Sequence, residues 1–250
     1  MSDWDDDIAQ MQLSDAEKNG LQMYRNYESA FRQKRRENFV NELKISDDDL
    51  DSTRRVVKLI ATEDPRFLPV IACSFVDDEL SQMFRREIPT DIPGGAKEML
   101  SAFGPLHSLS NKIRFAFAFD MTSRDLLIEV DRLRRLRNDL AHTWEIAAAA
   151  EFYSGNSVAQ LIDNSLAIQE ANSRLSKDRN FSPDVALRVG LAFLLARVAY
   201  ECRAYPSAKR ALLHPLDALY SRPFPSLLDK LSALAAGCRD QIAGPRSRDS

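Results

Sequence analysis

Arg137, Asn138 and His142 set a permanent cation, an amide and an imidazole within one short stretch, Arg137-Asn138-Asp139-Leu140-Ala141-His142. On a helical wheel of ~100° per residue, Arg137 falls among Val130, Leu133, Leu136, Leu140, Ala141 and Trp144, and Asn138 and His142 lie side by side at the edge of that apolar arc. A guanidinium cannot shed its charge, and an unpaired buried charge costs several kcal/mol. Arg137 therefore requires an anionic partner, a polar cleft or a subunit interface. The chemistry open to the group is acid/base work on a phosphate ester. Imidazole titrates near pH ~6.5 and can pass a proton under cell conditions. The planar fork of Arg137 suits charge developing on phosphoryl oxygens, and Asn138 can orient either group. Arg132, Arg134, Arg135 and Arg137 together give a local positive potential for a polyanion. The plainer alternative is structural: Arg137 and Asn138 tie the helix to a carboxylate, one of Asp77, Asp78 or Glu79 being available, and His142 is a surface residue.

One long helix, residues 123–148, must present these groups, and Thr122-x-x-Asp125 resembles a capping box at its start. Around it the text is almost wholly helical. Only 8 of 250 residues are glycine, and runs of Ala, Leu, Arg and Glu favour helix. Helices are expected over 15–45, from the acidic start Ser46-Asp47-Asp48-Asp49 to about 63, and from Pro65 to 87. Further helices are expected over 112–119, 158–175, 183–203, 206–220 and 226–242. Alternation at Ile113, Phe115, Phe117 and Phe119 resembles a strand, but no partner strand is legible, so helix is the reading. Residues 1–14 and 244–250 are expected to be mobile. Arg32-Gln33-Lys34-Arg35-Arg36 reads as a solvated helix face, with a phosphate-binding patch as the alternative.

Composition bounds the rest. A net charge of -3 says nothing global about nucleic acid, so any such site must be a local patch. Three widely spaced cysteines, Cys73, Cys202 and Cys238, read as reduced core thiols of a cytoplasmic protein. The acidic start is no secretory signal. The most apolar run, 185–202, is interrupted by Arg188, Arg197 and Glu201, so no membrane span is expected. There is no glycine-rich phosphate loop and no metal-spaced histidine pair. His107 and His214 read as structural. No metal and no cofactor is expected.

The Arg137-Asn138-x-x-x-His142 stretch resembles the Arg-x4-His signature of the HEPN superfamily. Together with Phe103-Gly104-Pro105-Leu106 and Ser110-x-Lys112-Ile113, and with Arg134 preceding it, it is most similar to the mannitol-repressor (MltR-like) family. The likeness covers about residues 65–203. It implies an all-α, HEPN-like helical bundle over 63–203, with an N-terminal helical extension over 1–62 and C-terminal helices and tail over 204–250. It also implies a homodimer whose Arg/His helices face each other. Two functions follow from the resemblance. One is a metal-independent endoribonuclease of toxin or antiphage type, with Arg137, Asn138 and His142 at a composite site and RNA held by Arg132, Arg134, Arg135 and Lys112. The other is a non-catalytic transcriptional regulator working through protein partners. In the toxin case an antitoxin or regulatory protein is a further expected partner. Trp144 stands where toxin members carry a modifiable tyrosine, which counts against regulation by tyrosine modification.

Overall fold

The structure, a computed structural model, describes residues 4–91, 93–141, 183–213 and 226–243. Among these residues there are nine α-helices and no strand, as the composition leads one to expect. We number them α1 (Asp6–Ala9), α2 (Asp15–Glu42), α3 (Asp51–Thr62), α4 (Leu68–Glu87), α5 (Gly95–Met99), α6 (Leu109–Ala118), α7 (Arg124–Ala141), α8 (Pro183–Arg210) and α9 (Ser226–Ala243).

α8 is the centre of the bundle. It carries Leu187, Leu191, Leu194, Leu195, Val198, Ala199 and Cys202, all buried, and a helix apolar around most of its circumference is stable only when surrounded. It packs against α9, α4 and α3, and α4 in turn carries α7, with α6 wedged against both. Phe75, Val76, Leu80 and Met83 of α4 meet a core that also takes in Leu126, Val130, Leu133 and Leu136 of α7. Each fully buried side chain of this size contributes roughly 1.5–3 kcal/mol.

α8 also departs from its expected boundary. A helix ending at 203 and a new one from 206 are expected; instead α8 runs through Pro206 to Arg210. Proline supplies no N–H to the carbonyl four residues earlier. That carbonyl, on Cys202, is taken by the Arg86 guanidinium of α4 at 3.2 Å. The expected break at 203/204 therefore falls inside one continuous helix.

Long cations from α8 and α9 satisfy carbonyls at the ends of other elements, groups that a helix leaves without intrahelical partners. Arg188 donates from one nitrogen to the Ile60 and Glu63 carbonyls, 2.8 Å each, closing the end of α3. Lys209 reaches the Phe119 carbonyl at 2.8 Å. There α6 ends without a glycine: Asp120 takes the left-handed conformation at φ 49°. The Met121 and Asp120 amides bond back to Ala116 and Phe117, the pattern of a Schellman motif. Lys230 holds the Ile45 carbonyl and the Asp47 carboxylate.

Two further local results bear on expectation. Residues 4–14 are not loose: α1 lies on α2, Ile8 is fully buried, and Arg25 grips Asp7 with two hydrogen bonds of 2.6 and 2.7 Å. Gly104, in the turn before α6, sits so close to the Glu98 and Met99 carbonyls that a Cβ there would collide with both. Only glycine allows that approach, which lets the Leu106 amide reach Met99 and buries Leu106 while Phe103 stays wholly exposed.

Candidate functional site

α7 is fixed at its N-terminal end by a buried ionic network that the sequence reading did not single out. Its start lies one residue later than the expected capping box. Ser123, not Thr122, precedes the helix, and its amide and hydroxyl both bond one oxygen of Glu201 from α8, at 2.8 and 2.5 Å. Arg197, one turn earlier on α8, donates to the other Glu201 oxygen at 2.7 Å, to Ser123 Oγ at 2.8 Å and to Asp125 at 2.5 Å. Glu129, one turn into α7, lies 3.6 Å from the same guanidinium.

Glu129 is 2 % exposed and neither of its oxygens has a hydrogen-bond partner among the described residues. Burial pushes its carboxyl up to about 7, against the pull of Arg197 and with the charges of Asp125 and Glu201 adding to the rise. The folded state thus keeps a proton that the unfolded chain, with an ordinary glutamate near ~4.3, gives up. Raising the pH through the window from ~4.3 to about 7 therefore favours unfolding, and above it the whole cost is present. Glu129→Gln should remove this component: roughly 2–3 kcal/mol more stable than wild type at pH 8, with the gap closing by pH 4.5. Urea unfolding across that range checks it. A pH-independent difference would show that Glu129 is not the titrating group.

At the other end of α7 stand the residues expected to do chemistry. Arg137 is half-buried, its Nε fully buried with no partner among the described residues. It lies near Cys73 of α4, whose thiol burial pushes up to about 11 against the charges of Arg137 and Arg134. Asn138 is half-buried beside it. Of the acidic trio of α4, Asp78 is exposed and the other two are otherwise engaged. Asp77 receives Lys112 at 2.7 Å on both oxygens. Glu79 is buried, and burial raises its carboxyl against the nearby charges of Arg203 and Arg86. His142 and Trp144 lie outside the described residues, as do residues 158–175, the segment after Leu213 up to 225, and the tail.

The expected RNA contacts divide. Lys112 is 4 % exposed and locked to Asp77, so its ammonium ties α6 to α4 rather than meeting solvent. Arg134 and Arg135 share Asp131, each at about 2.9 Å. Arg132 is exposed. Of the named cations, Arg132 faces solvent and Arg137 holds a buried nitrogen with no partner among the described residues. The three that remain, Lys112, Arg134 and Arg135, are each bonded to a carboxylate of the chain itself.

Among the described residues no group of His, Cys, Asp and Glu is placed to hold a metal ion, and no helix is long and apolar enough to cross a membrane. Compared with family models, curated proteins and solved structures, the chain matches none.

Proposed function

We propose that this chain is a metal-independent endoribonuclease of the HEPN type, acting as a homodimer with the two α7 helices facing one another. The observation that carries the reading is Arg137: a guanidinium held half-buried on an apolar stripe with a buried Nε that no described group satisfies. Such a donor is suited to an anion brought from outside, and a phosphodiester is one. In the reaction the ribose 2′-hydroxyl attacks the adjacent phosphorus. The 2′-O–P bond forms, the P–O5′ bond breaks, and the products are a 2′,3′-cyclic phosphate and a 5′-hydroxyl. His142 of one or other subunit takes the 2′ proton or supplies one to the leaving oxygen; Arg137 carries the charge on the phosphoryl oxygens; Asn138 orients them.

The test is purified full-length protein with a mixed-sequence RNA, with and without chelator, beside DNA of the same sequence. The expected result is RNA cut in both conditions, ends bearing a cyclic phosphate, and DNA left whole for want of a 2′-hydroxyl. Sedimentation should show self-association at tens of micromolar. Intact RNA would sink the reading. The second reading, a regulator working through a protein partner, would then stand. It is favoured by one observation: Lys112, Arg134 and Arg135 spend their charge on Asp77 and Asp131, which leaves a thin basic surface for a polyanion.

A further inference from the structure

α2 is a 28-residue helix that enters the core at its C-terminal end, through Phe39, Val40 and the following Leu43. α1 covers one of its faces, through Lys18, Gln22 and Arg25. The opposite face is bare. Met23, Tyr24, Tyr27 and Phe31 are 72, 63, 69 and 45 % exposed. They do not lie at random. Leu13, Ala16, Gly20, Met23, Tyr27, Ala30 and Lys34 follow one another at alternating intervals of three and four, the spacing of a two-helix seam. Every one of them is exposed.

The seam has features that a solvated face does not need. Gly20 sits in the helix interior, where glycine costs about 0.5–1 kcal/mol against alanine, yet a Cβ there would touch nothing in the chain. Ala16, Gly20 and Ala30 form hollows and Met23, Tyr27 and Phe31 form knobs. Tyr27 and Phe31 are already stacked, rings 6.1 Å apart and 9° from parallel, with Arg35 lying 3.9 Å over Phe31.

We infer that α2 is a self-association surface whose occupant is the α2 of a second copy, running antiparallel. Charge selects both partner and direction. On the seam side the first turns of the helix carry Glu17 and the later turns carry Lys34 and Arg35, whereas Arg32, paired with Glu28, and Arg36 lie on the opposite side. A parallel pair sets like against like, whereas an antiparallel pair sets each acidic end on a basic one. With the two-fold axis near residue 25, Gly20 faces Ala30, Met23 faces Tyr27 and Ala16 faces Lys34, which brings Lys34 beside Glu17 of the other copy. Lys34 is free to move there, since its own Glu37 holds it only at 3.8 Å. This contact lies on a different element from the α7 pair of the proposed enzyme and does not rest on that reading.

Two measurements test it on the full chain. The double variant Gly20→Cys/Ala30→Cys should give a covalent dimer on mild oxidation, and either single variant should not. In the antiparallel pair like positions lie roughly 15 Å apart along the axis, and Cys73, Cys202 and Cys238 are buried. Tyr27→Glu should halve the mass seen by light scattering, weakening the contact at least ~10-fold as loss of a central aromatic does, with helicity unchanged because Tyr27 faces outward. High salt should weaken the wild-type contact. A monomeric wild type, an unchanged mass for Tyr27→Glu, or a double variant that does not cross-link would each overturn the inference. RNA cleavage can fail or succeed independently of the Tyr27→Glu and cross-linking results, which therefore separate this contact from the α7 pair.

Discussion

Arg197→Ala is expected to cost about 3–5 kcal/mol of stability, the range for breaking a buried ion pair by removing one partner. Among the described residues Arg197 is the one cation ion-paired with Glu201, Glu129 and Asp125, and its side chain is only 10 % exposed. Without it Glu201, 3 % exposed, and Glu129, 2 % exposed, are left as neighbouring buried carboxylates. The loss should shrink in acid, where Glu129, whose carboxyl burial pushes up to about 7, is protonated and needs no cation. Neutralising the carboxylates should recover much of it: Arg197→Met with Glu129→Gln and Glu201→Gln is expected to exceed Arg197→Met alone, a non-additive result of residues sharing one network. Urea midpoints at pH 5 and pH 8 decide the matter; a loss below ~1 kcal/mol at pH 8 would mean the network contributes little. The same substitution should lower any activity of Arg137. That side chain sits roughly 18 Å further along α7, whose N-terminal end would have lost its anchor to α8.

The helices were legible because their signals are local. Ser14 and Glu17 form a reciprocal cap, Ser108 caps α6, and apolar spacing marks the buried faces of α4 and α7. What the sequence hid depends on residues far apart in the chain. Arg197 and Glu201, one turn apart inside the most apolar run, read as interruptions of it; nothing local says that they close on Ser123, Asp125 and Glu129, about seventy residues earlier. Pro206 reads as a helix breaker because the replacement donor, Arg86, is 116 residues away from the carbonyl it serves. Lys112 reads as a surface cation because its partner Asp77 belongs to another helix. The placement of Arg137 on the apolar stripe was legible, since helical period alone fixes it; that its Nε would be left without a partner in α4 was not, because that depends on Asp77 being taken by Lys112.

His142→Ala is expected to lower RNA cleavage by ~10²–10⁴-fold, the usual consequence of losing a positioned proton-transfer group. Arg137→Ala should lower it as well, and the two variants differ in what else they do. Arg137 is half-buried on the helix stripe of Val130, Leu133 and Leu136, and its Nε has no partner among the described residues, so its removal leaves no buried carboxylate of α4 stranded: Asp77 keeps Lys112 and Glu79 keeps the nearby Arg203 and Arg86. Stability should change little, or rise, because an incompletely satisfied buried donor has been deleted. A functional cation is thus separable from a structural one. If Arg137 were a structural strut, Arg137→Ala would unfold more easily and cleavage would fall only in proportion. If it serves the phosphate, cleavage falls at unchanged or higher stability. Arg137→Lys retains charge and loses the planar fork, so it should restore little activity. The experiment compares wild type, His142→Ala, Arg137→Ala and Arg137→Lys in one cleavage assay and one urea titration. Equal cutting by His142→Ala and wild type would rule out the catalytic role, whatever the titration shows.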